Sequence, residues 1–184
     1  SARVHIMHLT DTLDMGGRER IVVDLANCMP ETEFRTSICT TRRDGPLVSD
    51  IADHVGHICL HRARTFQLDP VKRLVQYIRE QRVDVLHAHG TSILIARIAA
   101  MVESRPLIVW HDHFGTNDQH ERSVLMFRLL TNRVAGVLAV SDTLADWSRN
   151  RLGFPDDRVW RLPNCVDFSR GDADPGQLPG APGN

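Results

Sequence analysis

PLIVWHDHFG, residues 106–115, holds a short apolar run, Leu107 to Trp110, that stops abruptly at His111, Asp112, His113, Phe114 and Gly115. A strand buried on both faces of a parallel sheet reads as such an uninterrupted apolar run, and in open α/β sheets the chemistry gathers just past the carboxyl ends of the strands. His111 stands at one such end. A second run, Val83 to Leu86, closes in His87-Ala88-His89-Gly90, so two strands are expected to deliver histidines to one edge of a sheet.

The remaining chain supplies the other strands and the helices between them. Upstream, Val4 to Leu9 is a first strand, followed by the loop Thr10 to Gly17 with its glycine pair. Ile21, Val22, Leu25, Ala26 and Met29 then recur on one helical face until Pro30 ends the helix. Phe34 to Thr40 reads as a second strand, Asp44-Gly45-Pro46 as a turn, Leu47 to Asp53 as a short helix, and Val55 to Leu60 as a third, weaker strand. Asp69-Pro70 marks a helix start, with Asp69 accepting from first-turn amides and Pro70 losing no needed donor. Downstream come a helix over Ser92 to Val102, a helical block within Gln119 to Arg133, a strand Val137 to Val140, a helix capped at Ser141-Asp142 and stopped at Gly153, and a last strand Arg158 to Leu162. Seven strands alternating with helices of roughly 10–15 residues predict a mostly parallel, doubly wound, Rossmann-like α/β sheet over residues 3–168. Residues 169–184, rich in Gly and Pro and without an apolar face, read as a linker.

Composition narrows the function. The 184 residues carry 22 Lys and Arg against 23 Asp and Glu, and the basic residues are scattered, which argues against a nucleic-acid binder. Cys28, Cys39, Cys59 and Cys165 show no metal-knuckle spacing, and the first three lie among apolar residues, so reduced buried thiols are expected. No apolar run reaches the roughly 18 residues of a membrane span. The expectation is a cytoplasmic protein; the Gln119 to Arg133 helix, with Arg122, Arg128 and Arg133 around its apolar block, is the candidate contact to an anionic membrane face.

The motifs leave several chemistries open. Gly16-Gly17 before a helix can admit a ligand phosphate to the helix N-terminus, or it is simply a turn. It is neither a dinucleotide fingerprint nor a P-loop. The second strand ends in Thr40-Thr41-Arg42-Arg43 without an acid for a ribose hydroxyl, which leaves only a weak case for an NADP-dependent oxidoreductase. The pairs His87/His89 and His111/His113 suggest a metal-dependent hydrolase, with Asp112 as an added carboxylate, yet the sequence displays no third ligand cluster to complete a site. Imidazoles that hydrogen-bond a sugar hydroxyl or phosphate are the better reading.

Taken together, HLTDTLDMGGRERIVVDLA, the DGPL turn, DVLHAHG, IVWHDHFG, GVLAVSDTLADW and LGFPDDRVWRLPNCVD, spread from His8 to Asp167, resemble the N-terminal half of a group 1 glycosyltransferase, a retaining, nucleotide-sugar-dependent enzyme of the GT-B fold. The resemblance implies an enzyme that moves a sugar from a UDP- or GDP-sugar to a glycan or lipid-linked acceptor, with no cofactor and no catalytic metal. It implies that Gly16 and Gly17 lie over the donor phosphates and acceptor, and that His111 faces the reacting sugar. His89, Asp112 and His113 would line the acceptor side. Ser141 matches a strand end that caps a helix, while Asn164 and Asp167 match a junction leading to a C-terminal, donor-binding domain. Two departures stand out: Cys165 replaces a glycine at that junction, and Arg18 stands where alanine is common. The expected second domain lies beyond residue 184, so the chain by itself is expected to be inactive, a binding module at most.

Overall fold

The computed structural model describes residues 2–64, 67–113 and 123–163. Its elements run β1 (Val4–Thr10), α1 (Gly17–Cys28), β2 (Phe34–Thr40), β3 (Gly56–Cys59), α2 (Leu68–Gln81), β4 (Val85–His89), α3 (Ile93–Val102), β5 (Leu107–Asp112), α4 (Val124–Thr131), β6 (Gly136–Ala139), α5 (Asp142–Trp147) and β7 (Val159–Arg161). The seven strands form one sheet in the order β3-β2-β1-β4-β5-β6-β7, and every pairing is parallel. The winding starts near the middle at β1, grows to one side through β3, then returns past β1 to build the other side.

Right-handed crossovers turn this order into an uneven distribution of helices. α1 and the 3₁₀ turn Pro46–Asp50 cover one face over β1 to β3, where Leu13, Val22, Val23, Ala26, Ile38, Leu47 and Val55 form a small core. The other face carries the larger core, in which Leu74, Val75 and Ile78 of α2, Ile95, Ala96 and Ala99 of α3, Phe127 of α4 and Leu144 of α5 pack on Met7, Leu9, Leu86, Ala88 and Trp110. Leu74 and Ile78 are fully buried, and each such side chain contributes about 2 kcal/mol. On the α1 face, no described helix covers β5 to β7, and Leu107 and Trp160 remain 61% and 49% exposed.

Local chemistry accounts for most boundaries. Ser141 caps α5 as expected, its hydroxyl accepting from the Leu144 amide, and Gly153 stops the following π turn at φ 81°. Asp69 does not cap α2: the helix starts two residues earlier, at Leu68 after Gln67, without a side-chain cap. The Leu47–Asp53 helix is reduced to the single turn Pro46–Asp50. Cys39 is buried and Cys59 half-buried, but Cys28 is exposed at the end of α1. Cys165 and the expected linker lie outside the described residues, as do residues 119–122 of the expected membrane-facing segment, Arg122 among them.

Gly45 shows why the DGPL turn carries a glycine. Its φ of −146° suits any residue, but a Cβ there would fall 2.3 Å from the Leu13 carbonyl oxygen and 2.5 Å from the Asp14 amide nitrogen. Backbone cannot step aside as a side chain can. Gly45→Ala is therefore expected to cost about 2 kcal/mol, read as a lowered urea midpoint with unchanged slope. A midpoint equal to that of the parent protein would refute the close approach.

Candidate functional site

β1, β4 and β5 stand side by side in register, with His8 opposite His87 and His89 opposite His111. Side chains alternate along a strand, so residues two apart share a face. This rule puts His8, His87, His89 and His111 on the α1 face, and His113 follows beside His111 just past β5. The five rings form a continuous layer: His8–His87, His87–His89, His89–His111 and His111–His113 centroids lie 4.8, 4.3, 5.1 and 3.9 Å apart. His111 also reaches the end of an open, mainly apolar groove of about 170 Å³ between Ile21, Asp24, Leu25 and Cys28 of α1 and Leu162-Pro163.

Hydrogen bonds join some of these rings and leave others without partners. His8 Nδ1 lies 3.2 Å from His89 Nε2, and His89 Nδ1 lies 3.0 Å from His113 Nε2. Among the described residues, His8 Nε2, His87 Nε2, both ring nitrogens of His111 and Nδ1 of His113 are buried without a hydrogen-bond partner. His5, three residues before His8 and so on the other face, behaves differently: its Nδ1 meets the Gln81 carbonyl and its Nε2 the Ser37 hydroxyl, both at 3.0 Å. His5 is a satisfied structural histidine, whereas the cluster retains free nitrogen lone pairs or N–H groups.

Burial keeps the cluster neutral. Desolvation is the main cause for each ring: it holds His111 down to about 4, while His8 and His113, also opposed by the charge of His111, fall to about 3. His87 and His89 are likewise pushed well below the ordinary histidine value, first by burial and then by their neighbours. At neutral pH the layer therefore offers uncharged imidazoles, each with one acceptor nitrogen and one N–H.

A second group ties the loops around this layer. Asp11, just past β1, accepts hydrogen bonds from Thr41 at 2.5 Å, from Thr91 at 2.6 Å and from the buried guanidinium of Arg62 at 3.2 Å. Burial alone would raise its carboxyl, but the two hydroxyl donors and the charges of Arg62 and Arg42 outweigh that and hold it below the usual aspartate range. Ser92 donates to the carbonyls of Leu9 and His89, and the Trp110 indole donates to Gly90. The carboxyl ends of β1, β2, β4 and β5 are thus fastened to one another.

Of the residues expected from the sequence, His89, His111 and His113 meet, and His87 joins them. Asp112 does not: alternation turns it away from His111, and it is fully buried. Gly16 precedes α1 in extended backbone at φ −156°, and a Cβ on Gly17 would touch nothing within 4 Å. The fold itself does not require Gly17, and open space lies beside it. Arg18 packs against Gly90, which has φ 57°, so the start of α1 abuts the end of β4. Asn164 and Asp167 lie outside the described residues. Sequence reasoning missed His8, Asp11 and Arg62; strand parity from His87 back to His8 was the available signal for the first.

Comparison with known proteins places this geometry in a wider setting. Residues 15–170 match the model of Glycosyltransferase Family 4. By sequence, no curated protein matches the chain significantly. Among solved structures, HepE of Anabaena in complex with UDP and glucose is similar at 18% identity and a TM-score of 0.68, over 91% of this chain and 46% of that one. Lipopolysaccharide outer core galactosyltransferase WaaB follows at 14% and 0.66, over 89% and 46%. Sucrose-phosphate synthase of Thermosynechococcus elongatus is similar at 13% and 0.62, over 88% and 48%. At these identities the likeness is one of fold, and the chain spans about half the length of the structures it matches.

Proposed function

The chain belongs to Glycosyltransferase Family 4, and from that premise we propose that it forms the acceptor-side half of a two-domain enzyme that transfers a sugar from a UDP- or GDP-sugar to a hydroxyl of a glycan or lipid-linked acceptor. The observation that carries this reading is the layer of neutral imidazoles at the carboxyl ends of β4 and β5, with open space beside Gly17 at the start of α1. A second domain, joined through Asn164 and Asp167, supplies the donor site, and this half alone does not turn over. The enzyme works on the cytoplasmic side, with a peripheral contact to the membrane.

In the proposed chemistry, the acceptor hydroxyl attacks the anomeric carbon from the face that the nucleotide leaves. The anomeric C–O bond to the diphosphate breaks as the new glycosidic bond forms, and the departing phosphate oxygen takes the acceptor proton, so configuration is retained. No metal enters this step. His111 is the catalytic contact: its free nitrogens hydrogen-bond and orient the reacting sugar, and its depressed basicity keeps it from acting as the base. Gly17 lets the loop backbone approach the donor phosphates, where the N-terminus of α1 favours negative charge. A hydrolytic reading that adds Asp112 to the histidine pairs lacks that carboxylate ligand, since the two metal-capable groups among the described residues contain imidazoles alone.

The test uses the complete two-domain protein with a panel of UDP- and GDP-sugars. His111→Ala is expected to lower kcat/KM roughly 100-fold, with no inflection from His111 in the parent rate profile between about pH 5.5 and 8. Gly17→Ala is expected to leave the melting temperature unchanged or slightly higher, because alanine favours helix, while slowing transfer at least about tenfold. Absence of both transfer and hydrolysis with every donor would overturn the proposal.

A further inference from the structure

We propose that His89, His111 and His113 form a binding site for a divalent transition-metal ion of the zinc type. The three imidazoles come from the ends of two neighbouring strands, and their ligand atoms all lie within 4.8 Å of one another. His89 Nδ1 and His113 Nε2 are 3.0 Å apart. Two nitrogens bonded at about 2.0–2.1 Å to one tetrahedral zinc are separated by about 3.3 Å. The spacing of this pair is close to what such an ion requires.

Hydrogen bonding alone does not account for the arrangement. A neutral imidazole has one donor and one acceptor to satisfy, and leaving such a group buried and unpaired is costly. Among the described residues, both nitrogens of His111 and Nδ1 of His113 find no hydrogen-bond partner. Protonation would not relieve this, because it would set positive rings against one another in a desolvated layer. A metal ion takes nitrogen lone pairs directly, and the rings are already deprotonated at neutral pH, so no proton competes with it.

The surroundings match the habits of metal histidines. With Nδ1 of His89 on the ion, its Nε2–H donates to His8 Nδ1 at 3.2 Å, the kind of outer hydrogen bond that fixes tautomer and ring angle. Borderline imidazole donors suit zinc, cobalt, nickel and copper, whereas magnesium and calcium call for oxygen. His113 is only half-buried at the rim, so the fourth position opens outward to water or a ligand. The site shares His111 with the proposed sugar contact: one ring nitrogen takes the ion and the other is left for the sugar, and the transfer chemistry itself does not need the ion.

The experiment titrates the EDTA-stripped full chain with cobalt(II) alone and follows the visible d–d bands, then displaces cobalt with zinc. One equivalent with tetrahedral bands is expected. His113→Ala, at the rim where folding is least affected, and His111→Ala should each weaken binding roughly tenfold or more, with unchanged circular dichroism. His57→Ala, a surface control, should leave it intact. Absence of the bands, binding that survives His113→Ala, or binding lost only in His57→Ala overturns the site. Sugar transfer is not part of this readout, so its failure and that of the metal site are separable.

Discussion

Lowering the pH from 7 to 5 should remove several kcal/mol of folding stability. In the fold His8 and His113 sit at about 3 and His111 at about 4, while His87 and His89 are also held low; the ordinary value is 6.5. The unfolded chain therefore takes up protons that the folded chain refuses. Stability from these groups is fully present above pH 6.5 and is lost as pH falls toward 3–4. Each pH unit below 6.5 costs about 1.36 kcal/mol per such ring, or about 2 kcal/mol each at pH 5. A total of several kcal/mol is a large share of the roughly 5–15 kcal/mol that holds a domain together. Asp11 and Asp84, both below the ordinary aspartate value, shift stability the same way but only at lower pH. Urea midpoints at pH 7, 6 and 5 provide the measurement, and a midpoint that stays constant over this range would rule out a neutral buried cluster.

Asp11→Ala should be the most damaging single truncation outside the apolar core. The substitution removes the acceptor for Thr41 and Thr91 and strands Arg62, whose side chain is only 5% exposed. Breaking a buried pair from one side costs about 3–5 kcal/mol, because the remaining charge is left uncompensated in the interior, with the neutral Thr41 hydroxyl at 3.3 Å as its remaining acceptor. Removing both ends should cost much less: Asp11→Leu combined with Arg62→Met is expected to recover more than half of the loss, since no charge is left buried. Thermal and urea denaturation of the two single variants and the double variant form a cycle. If Asp11→Ala melts with the parent protein, or the double variant loses as much as the sum of its parts, the ion pair is not the fastener described above.

The fold was readable because its strands are short apolar runs and its helices have clear faces. The sequence bounds for Phe34–Thr40 match the strand to the residue, and the seven expected strands match the seven among the described residues. The strand ends at the site were less legible. The apolar runs finish at Leu86 and Trp110, but the parallel ladder continues through His87, Ala88 and His89 and through His111 and Asp112. Ladder bonds depend on backbone, so polarity alone could not mark where they stop. His111 and His89 were legible as strand-end histidines, whereas their convergence with His8 depends on β4 inserting between β1 and β5, a neighbour relation no local window contains. The sequence shows Asp112 next to His111 in the chain, and only the pleat separates them.

The central position of β1 also has a consequence in time. His8 and His89 touch although 81 positions separate them. At roughly 5–20 residues per second, β1 emerges from the ribosome some 4–16 s before the strand that will close its second edge. During that interval the apolar segment VHIMHLT presents an open row of backbone donors and acceptors, the feature by which unfinished sheets recruit other chains. Once β4 has docked, β5, β6 and β7 each add to the edge just completed. Any need for chaperone protection during synthesis should therefore concentrate in the first half of the chain.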